Sequence, residues 1–230
     1  MMIRGFDLID ISAFVIFVVC LPGYSAVAGY VDMRRPSLMS LVRTFRHRWI
    51  ERMAERDNHI GDATLLGNLL RGALFFASTT VFILGGLVAL LGTASKVAEL
   101  IAELPFATPA APEVAEIKVI ILILVFVYAF FKFTWSAWQY NVLSILVGAM
   151  PKWEGQSEAR RKYVMAAGDV AALAGESYNN GVRAYYFSIP LMAWFANAYA
   201  FLAATMLVGF VVYRREFRSA IMQALRSMQE

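Results

Sequence analysis

The sequence is poor in the residues that build metal sites and covalent frameworks. Its 230 residues hold one cysteine, Cys20, and two histidines, His47 and His59. A lone cysteine excludes an intrachain disulfide framework, and two histidines without further thiolates leave a structural metal ion short of ligands. Cys20 follows Phe17-Val18-Val19, lacking the small residue that lipoprotein processing wants before its cysteine, and so reads as a buried helix residue. A glycine-rich phosphate loop, histidines within apolar stretches for haem, and a Ser/His/Asp set able to assemble are all missing. The expectation is therefore a protein that is not an enzyme, with no cofactor, no metal and no nucleic-acid partner.

Charge is scarce as well: 17% of the residues are Asp, Glu, Lys or Arg, against 60% hydrophobic. Residues 11–31, 72–92, 119–150 (broken only by Lys132) and 184–213 are otherwise uncharged. A helix needs about 20 apolar residues to cross a bilayer's hydrocarbon core, and each stretch is long enough. The sequence thus predicts an all-α integral membrane protein with four transmembrane helices in a single domain over residues 1–230. The spans are expected over about 8–31, 66–92, 119–150 and 184–213. Arg4, the first apolar stretch and Ala26-Val27-Ala28 imitate a secretory signal with its cleavage site, but Asp7 and Asp10 sit where a positive region belongs. The first stretch therefore reads as a retained span.

Basic residues set the expected orientation. Segment 32–71 carries Arg34, Arg35, Arg43, Arg46, Arg48, Arg52, Arg56 and Arg71, and segment 151–183 carries Lys152, Arg160, Arg161, Lys162 and Arg183. Between spans two and three stand only Lys96 and Lys118, beside Glu99, Glu103, Glu113 and Glu116. The positive-inside rule makes 32–65 and 151–183 cytoplasmic loops and 93–118 an external one, in the cell inner membrane with both termini outside. The tail runs against this scheme, because Arg214, Arg215, Arg218 and Arg226 then fall on the outer side.

Spans three and four exceed a hydrocarbon core of about 30 Å. Trp135, Trp138 and Tyr140 suggest an interfacial belt, beyond which helices continue as cytoplasmic helical extensions. From Pro36 onward, Leu38, Leu41, Val42, Phe45, Trp49, Ile50, Met53 and Ile60 recur near a period of 3.6. This predicts an amphipathic surface helix over about 37–60, lying on anionic lipid headgroups or covering the protruding helix ends. Ser157 is a candidate helix cap, and the small residues from Ala166 to Gly175 imply close backbone packing.

Lys132 is the sharpest candidate for function, since a charge inside a span faces protein, water or, by snorkelling, the headgroups. Tyr128, Ser136 and Gln139 lie on nearly the same face of span three and form with it a polar stripe. Asn197 in span four needs a partner inside a bundle. Arg71 and Arg183, with Asp57 and Asp62 on nearby segments, form an expected cytoplasmic mouth. Gly85, Ala89 and Thr93, and again Ala196, Ala200 and Ala204, repeat every four residues as helix-packing surfaces. Pro22-Gly23 and Pro190 are kink candidates.

Several strings carry a family resemblance: Arg48-Trp49-Ile50 with Met53, Asp57 and Asp62; Phe75-Phe76-Ala77-Ser78-Thr79; Arg183-Ala184-Tyr185-Tyr186-Phe187; and Tyr213-Arg214-Arg215-Glu216-Phe217-Arg218. In these the chain resembles a bacterial and plant membrane family catalogued as domain of unknown function 599. The resemblance implies a four-span multi-pass protein and supplies no catalytic residue. The functional expectation is a homo-oligomeric channel- or transporter-like protein for a small ion or solute, anions included. The alternative is a non-catalytic scaffold or accessory subunit with a membrane-protein partner.

Overall fold

The structure is a computed structural model describing residues 8–19, 37–93, 96, 111–153, 155 and 157–228. Cys20, Pro22-Gly23, Arg34, Arg35, the second half of the first expected span and most of the external loop lie outside the described residues.

The described residues are helical and contain no strand. In chain order the helices are α1 (Leu8–Val19), α2 (Leu38–Met53), α3 (Ile60–Leu91), α4 (Pro112–Gly148), α5 (Glu158–Ala193), α6 (Ala198–Phe217) and α7 (Ala220–Arg226). Local chemistry fixes their starts. Ser37, Ser157, Asn197 and Ser219 each cap the following helix by accepting a backbone N–H, from Ser40, Arg160, Ala200 and Met222 respectively. Pro112 opens α4, where its missing donor costs nothing. Three segments are long and apolar enough to cross a membrane: α3, α4, and Ala198–Arg226, which comprises α6 and α7; α1 is a shorter apolar helix.

The long helices run antiparallel in constant register. Along α4 and α5, Lys118 meets Trp194, Phe126 meets Tyr185, Phe133 meets Tyr178, Ser136 meets Ala174, and Leu146 meets Tyr163. Side α3 joins through the Phe76–Phe133 ring stack at 5.1 Å and through the Thr80 and Tyr185 hydroxyls, 2.8 Å apart.

One sequence expectation needs correction. Residues 184–213 are not one span. α5 ends at Ala193, Trp194–Ala196 form a turn, and α6 starts afresh from the Asn197 cap. Pro190 has no N–H to give back along α5, which stops within a turn of it. The chain then reverses. Phe201 stacks on Trp194, Arg215 bonds Asn179, and Glu216 pairs with Arg183. α5 and α6 are therefore a helical hairpin, and the arginine-rich tail returns to the end of the bundle that holds Arg183. The reversal also sets where the end segments lie in the bundle. Asp10 accepts from Trp194 Nε1 at the hairpin turn, 2.7 Å away. Glu216 lies at the opposite end of α6, about 30 Å along a 20-residue helix. The two end segments of the described chain thus sit at opposite ends of the bundle.

Three apolar clusters stack along the bundle, a small middle one of Ala77, Ala129, Phe133 and Ala184 and two larger ones that form its storeys. The hairpin-end cluster gathers Phe17, Leu122, Phe126, Phe187, Trp194 and Phe201 from α1, α4, α5 and α6. The cluster at the other end, called the basic end below, gathers Ile50, Met53, Leu66, Leu143, Ala167 and Ala171 from α2, α3, α4 and α5. Between them Phe133 fits against Gly181, where a Cβ would approach the ring to 2.7 Å. In α2 the buried residues Leu41, Ile50 and Met53 are thus turned toward protein.

Candidate functional site

Where α6 ends and α2 begins, the wall of α5 is shared by neither completely. A cleft of about 220 Å³ opens there, lined by Ser37, Met39, Ser40, Arg43 and Arg46 of the α2 region and by Ala172, Leu173, Glu176, Asn179, Asn180 and Arg183 of α5. The sequence builds it from two patterns. On α2, Arg43 and Arg46 are three residues apart and so share a face, one turn beyond the helix start. On α5, Glu176, Asn179, Asn180 and Arg183 repeat at the same spacing.

Glycine makes the approach of α2 close. A Cβ at Gly175 would overlap the Arg46 guanidinium, and one at Gly168 would overlap the His47 imidazole. Arg46 thus lies across bare α5 backbone. Around it, Asp169 pairs with Arg43 at 3.5 Å and with His47 at 3.3 Å, and buried Arg160 reaches Glu55 at 3.6 Å. Among the described residues Arg46 itself forms no ion pair with a carboxylate. On the far wall Arg183 pairs with Glu216 at 2.7 Å, and Arg215 donates to Asn179 and lies 5.5 Å from the Tyr186 ring centre. The cleft therefore presents three guanidiniums and one exposed carboxylate, Glu176, next to the amide end of α2.

The residues singled out from sequence are distributed differently. Arg183 is in the cleft. Arg71 is exposed and bonds Asn68 and Gly67 within its own helix. Asp62 is buried, accepting from Trp49 Nε1 at 2.7 Å and from Arg56 at 2.9 and 3.1 Å, which ties α2 to α3. Asp57 is exposed, 4.0 Å from Lys152. The mouth grouping of Arg71, Arg183, Asp57 and Asp62 is thus spread over separate contacts.

The stripe on α4 divides too. Ser136 donates to the Ala174 carbonyl at 2.7 Å, and the Gln139 amide is bonded to the Ser177 hydroxyl at 2.9 Å, both inside the α4–α5 seam. Tyr128 is exposed and Lys132 half-buried, with the ammonium 5.5 Å from the Tyr128 ring centre. Lys132 neighbours Phe133, whose ring meets Tyr178, so it stands level with the cleft without lining it. Asn197 is a helix cap at the hairpin turn, not a mid-span amide.

Sequence reasoning missed a second polar group. Lys118, taken for a loop residue, is buried at the hairpin end, donating to the Trp194 carbonyl at 2.9 Å with its ammonium 4.9 Å from the Trp194 ring centre. With Asp10 on Trp194 Nε1, it fastens α1, α4 and the hairpin together. No local pattern marks this; it arises from helix register. Among the described residues no group of three or more His, Cys, Asp or Glu is arranged to hold a metal ion.

Neither a curated protein nor a solved structure shows significant similarity to this chain. One family model matches, "Protein of unknown function, DUF599", over residues 12–221, which include α2 to α6 and the whole cleft. With nearly its full length matched, the chain belongs to the DUF599 family.

Proposed function

We propose that the protein is a non-catalytic, channel- or transporter-like membrane protein that handles a small anion at its basic end. The observation that carries this reading is the convergence of Arg43, Arg46 and Arg183 on one cleft, with Arg46 held across Gly175. Guanidiniums grouped around a cavity attract anions and select by charge.

The accompanying topology has five passes: α1 inward, α3 outward, α4 inward, and the α5–α6 hairpin outward and back. It supposes that the basic end is cytoplasmic. Segments 32–71 and 151–183 and the arginines of the tail then share one side, which agrees with the positive-inside rule and removes the conflict that a four-span scheme meets at Arg214, Arg215, Arg218 and Arg226. The protein would sit in the cell inner membrane with the end bearing α1 outside. Assembly as a homo-oligomer is supported by Gly85 and Ala89 on α3, which are exposed, Gly85 having open space where a Cβ would stand.

The second reading is a non-catalytic scaffold within a larger membrane complex. It is favoured by how completely the polar side chains between α3, α4 and α5 are used inside the chain: Thr80 with Tyr185, Ser136 with Ala174, Ser177 with Gln139. Flux separates the two. In reconstituted vesicles, chloride and phosphate release is expected to exceed that of protein-free vesicles and to fall on Arg46→Gln. Release equal to that of empty vesicles, from folded and incorporated protein, would leave the scaffold reading.

A further inference from the structure

The cleft's donors point to more than negative charge. Arg43, Arg46 and Arg183 each present a planar fork of N–H groups, a geometry that matches the oxygens of phosphate as well as of carboxylate. Beside them stand the Ser37 and Ser40 hydroxyls and the Asn179 and Asn180 amides. The first turn of α2 adds its dipole. Ser40 N–H is taken by the Ser37 side chain and Leu41 N–H by the Ser37 carbonyl, so the amides of Leu38 and Met39 have no intrahelical acceptor. A helix start supplemented by arginines favours a compact oxyanion. The Ser40 hydroxyl donates to the Ser37 carbonyl, Arg183 is held by Glu216 and Arg43 faces Asp169, so the Arg46 fork, which has no carboxylate partner among the described residues, and the helix-end amides lead the site. A tetrahedral group sets its oxygens out of one plane and can meet both walls at once, whereas a carboxylate is planar. Met39, Ala172 and Leu173 provide apolar lining beside the guanidiniums, which suits an organic substituent on that group.

We infer that the α2–α5 cleft binds a phosphoryl group, carried by a small phosphate ester or by a phospholipid headgroup. This rests on the anion reading above and names the class of anion. Arg46 is the central contact because Gly175 lets its guanidinium lie against α5 between the other two. Arg43 is largely exposed and paired with Asp169 at 3.5 Å, an exposed pair that it exchanges for the ligand at little cost. The cleft stands level with Lys132 and one to two turns from Trp135 and Trp138, both exposed on α4, where an interfacial headgroup would reach it.

The test uses the full chain, delipidated in neutral detergent, and follows thermal unfolding at constant ionic strength in potassium chloride, acetate or inorganic phosphate. Phosphate at ten times its Kd is expected to raise the unfolding midpoint by about 3–5 °C over chloride, with acetate close to chloride. Arg43→Gln and Arg46→Gln should each lose most of that shift, and Arg52→Gln, an exposed arginine elsewhere on α2, should keep it. Equal shifts in phosphate and acetate would overturn the phosphoryl assignment while leaving the anion reading. No shift in acetate or phosphate would overturn both. A full phosphate shift in Arg43→Gln and Arg46→Gln would remove the cleft as the site. Native mass spectrometry then separates the two sources. A phosphatidylglycerol molecule retained by the wild type, displaced by phosphate and absent from Arg46→Gln assigns a headgroup. A phosphate shift undiminished when phosphatidylglycerol is added back assigns a soluble ester.

Discussion

The two storeys share the helices α4 and α5, yet they are joined by different means. At the hairpin end the contacts are large rings: Trp194 is 2% exposed, stacks on Phe14 and Phe201, and sits within a cluster that α1 and α6 complete. At the basic end the mating surface of α5 is small, Ala167, Gly168, Ala171, Ala174 and Gly175, and what lies on it is partly charged. Aromatic packing fixes a structure tightly and leaves little room. Small residues facing arginines leave a cleft whose walls carry donors. The difference explains why the candidate site lies where it does: at the level where the partner of α5 changes from α6 to α2.

The comparison is sharpened by substitutions whose effects should differ between storeys. The largest is Trp194→Ala, which removes a fully buried ring and orphans Asp10 Oδ1; a loss of about 3–5 kcal/mol is expected, read by unfolding in detergent. A loss below 1 kcal/mol would mean that the hairpin end is not where stability resides. Gly181→Ala, between the storeys, sets a methyl against the buried Phe133 ring, and about 1–3 kcal/mol should be lost. Gly175→Ala makes the contrasting case. The atoms nearest its methyl are the mobile end of Arg46, so stability should change by less than about 1 kcal/mol while anion binding falls, because Arg46 loses its seat. Equal destabilisation by the two glycine substitutions would erase the distinction between a packed storey and an open one. Lys132→Met should have the smallest effect, within about 0.5 kcal/mol. Lys132 is half-buried beside Tyr128, with no carboxylate paired to it among the described residues. A loss of several kcal/mol would reveal a buried partner instead.

How much of this was legible in the sequence follows from what kind of signal each feature leaves. Length and apolarity announce the long helices, so α3 and α4 could be read directly. The Ser157 cap could be read as well, because it is local chemistry. The hairpin could not. Trp194, Phe195 and Ala196 continue the apolar run without a break, and only Pro190 and the capping amide Asn197 mark the reversal. That turn brings the tail back to Arg183 and Asn179, a path the apolar run does not announce. For the cleft, Arg183 was visible as a charge at a span edge, whereas Arg43 and Arg46 looked like the solvated face of an amphipathic helix. Their role depends on Gly168 and Gly175, some 120 residues further on, admitting α2 against α5. The buried Lys118 depends likewise on register between helices, which composition does not encode.

The central claim is the reversal at 194–197, which gathers the basic segments and the tail at one end of the bundle. Single cysteines introduced at Glu51, Ala111 and Ser227 in a Cys20→Ser background, labelled in intact cells with a membrane-impermeant thiol reagent, test it directly. The account predicts that Ala111→Cys reacts from outside, while Glu51→Cys and Ser227→Cys react only after permeabilisation. Labelling of Ser227→Cys together with Ala111→Cys in intact cells would contradict it.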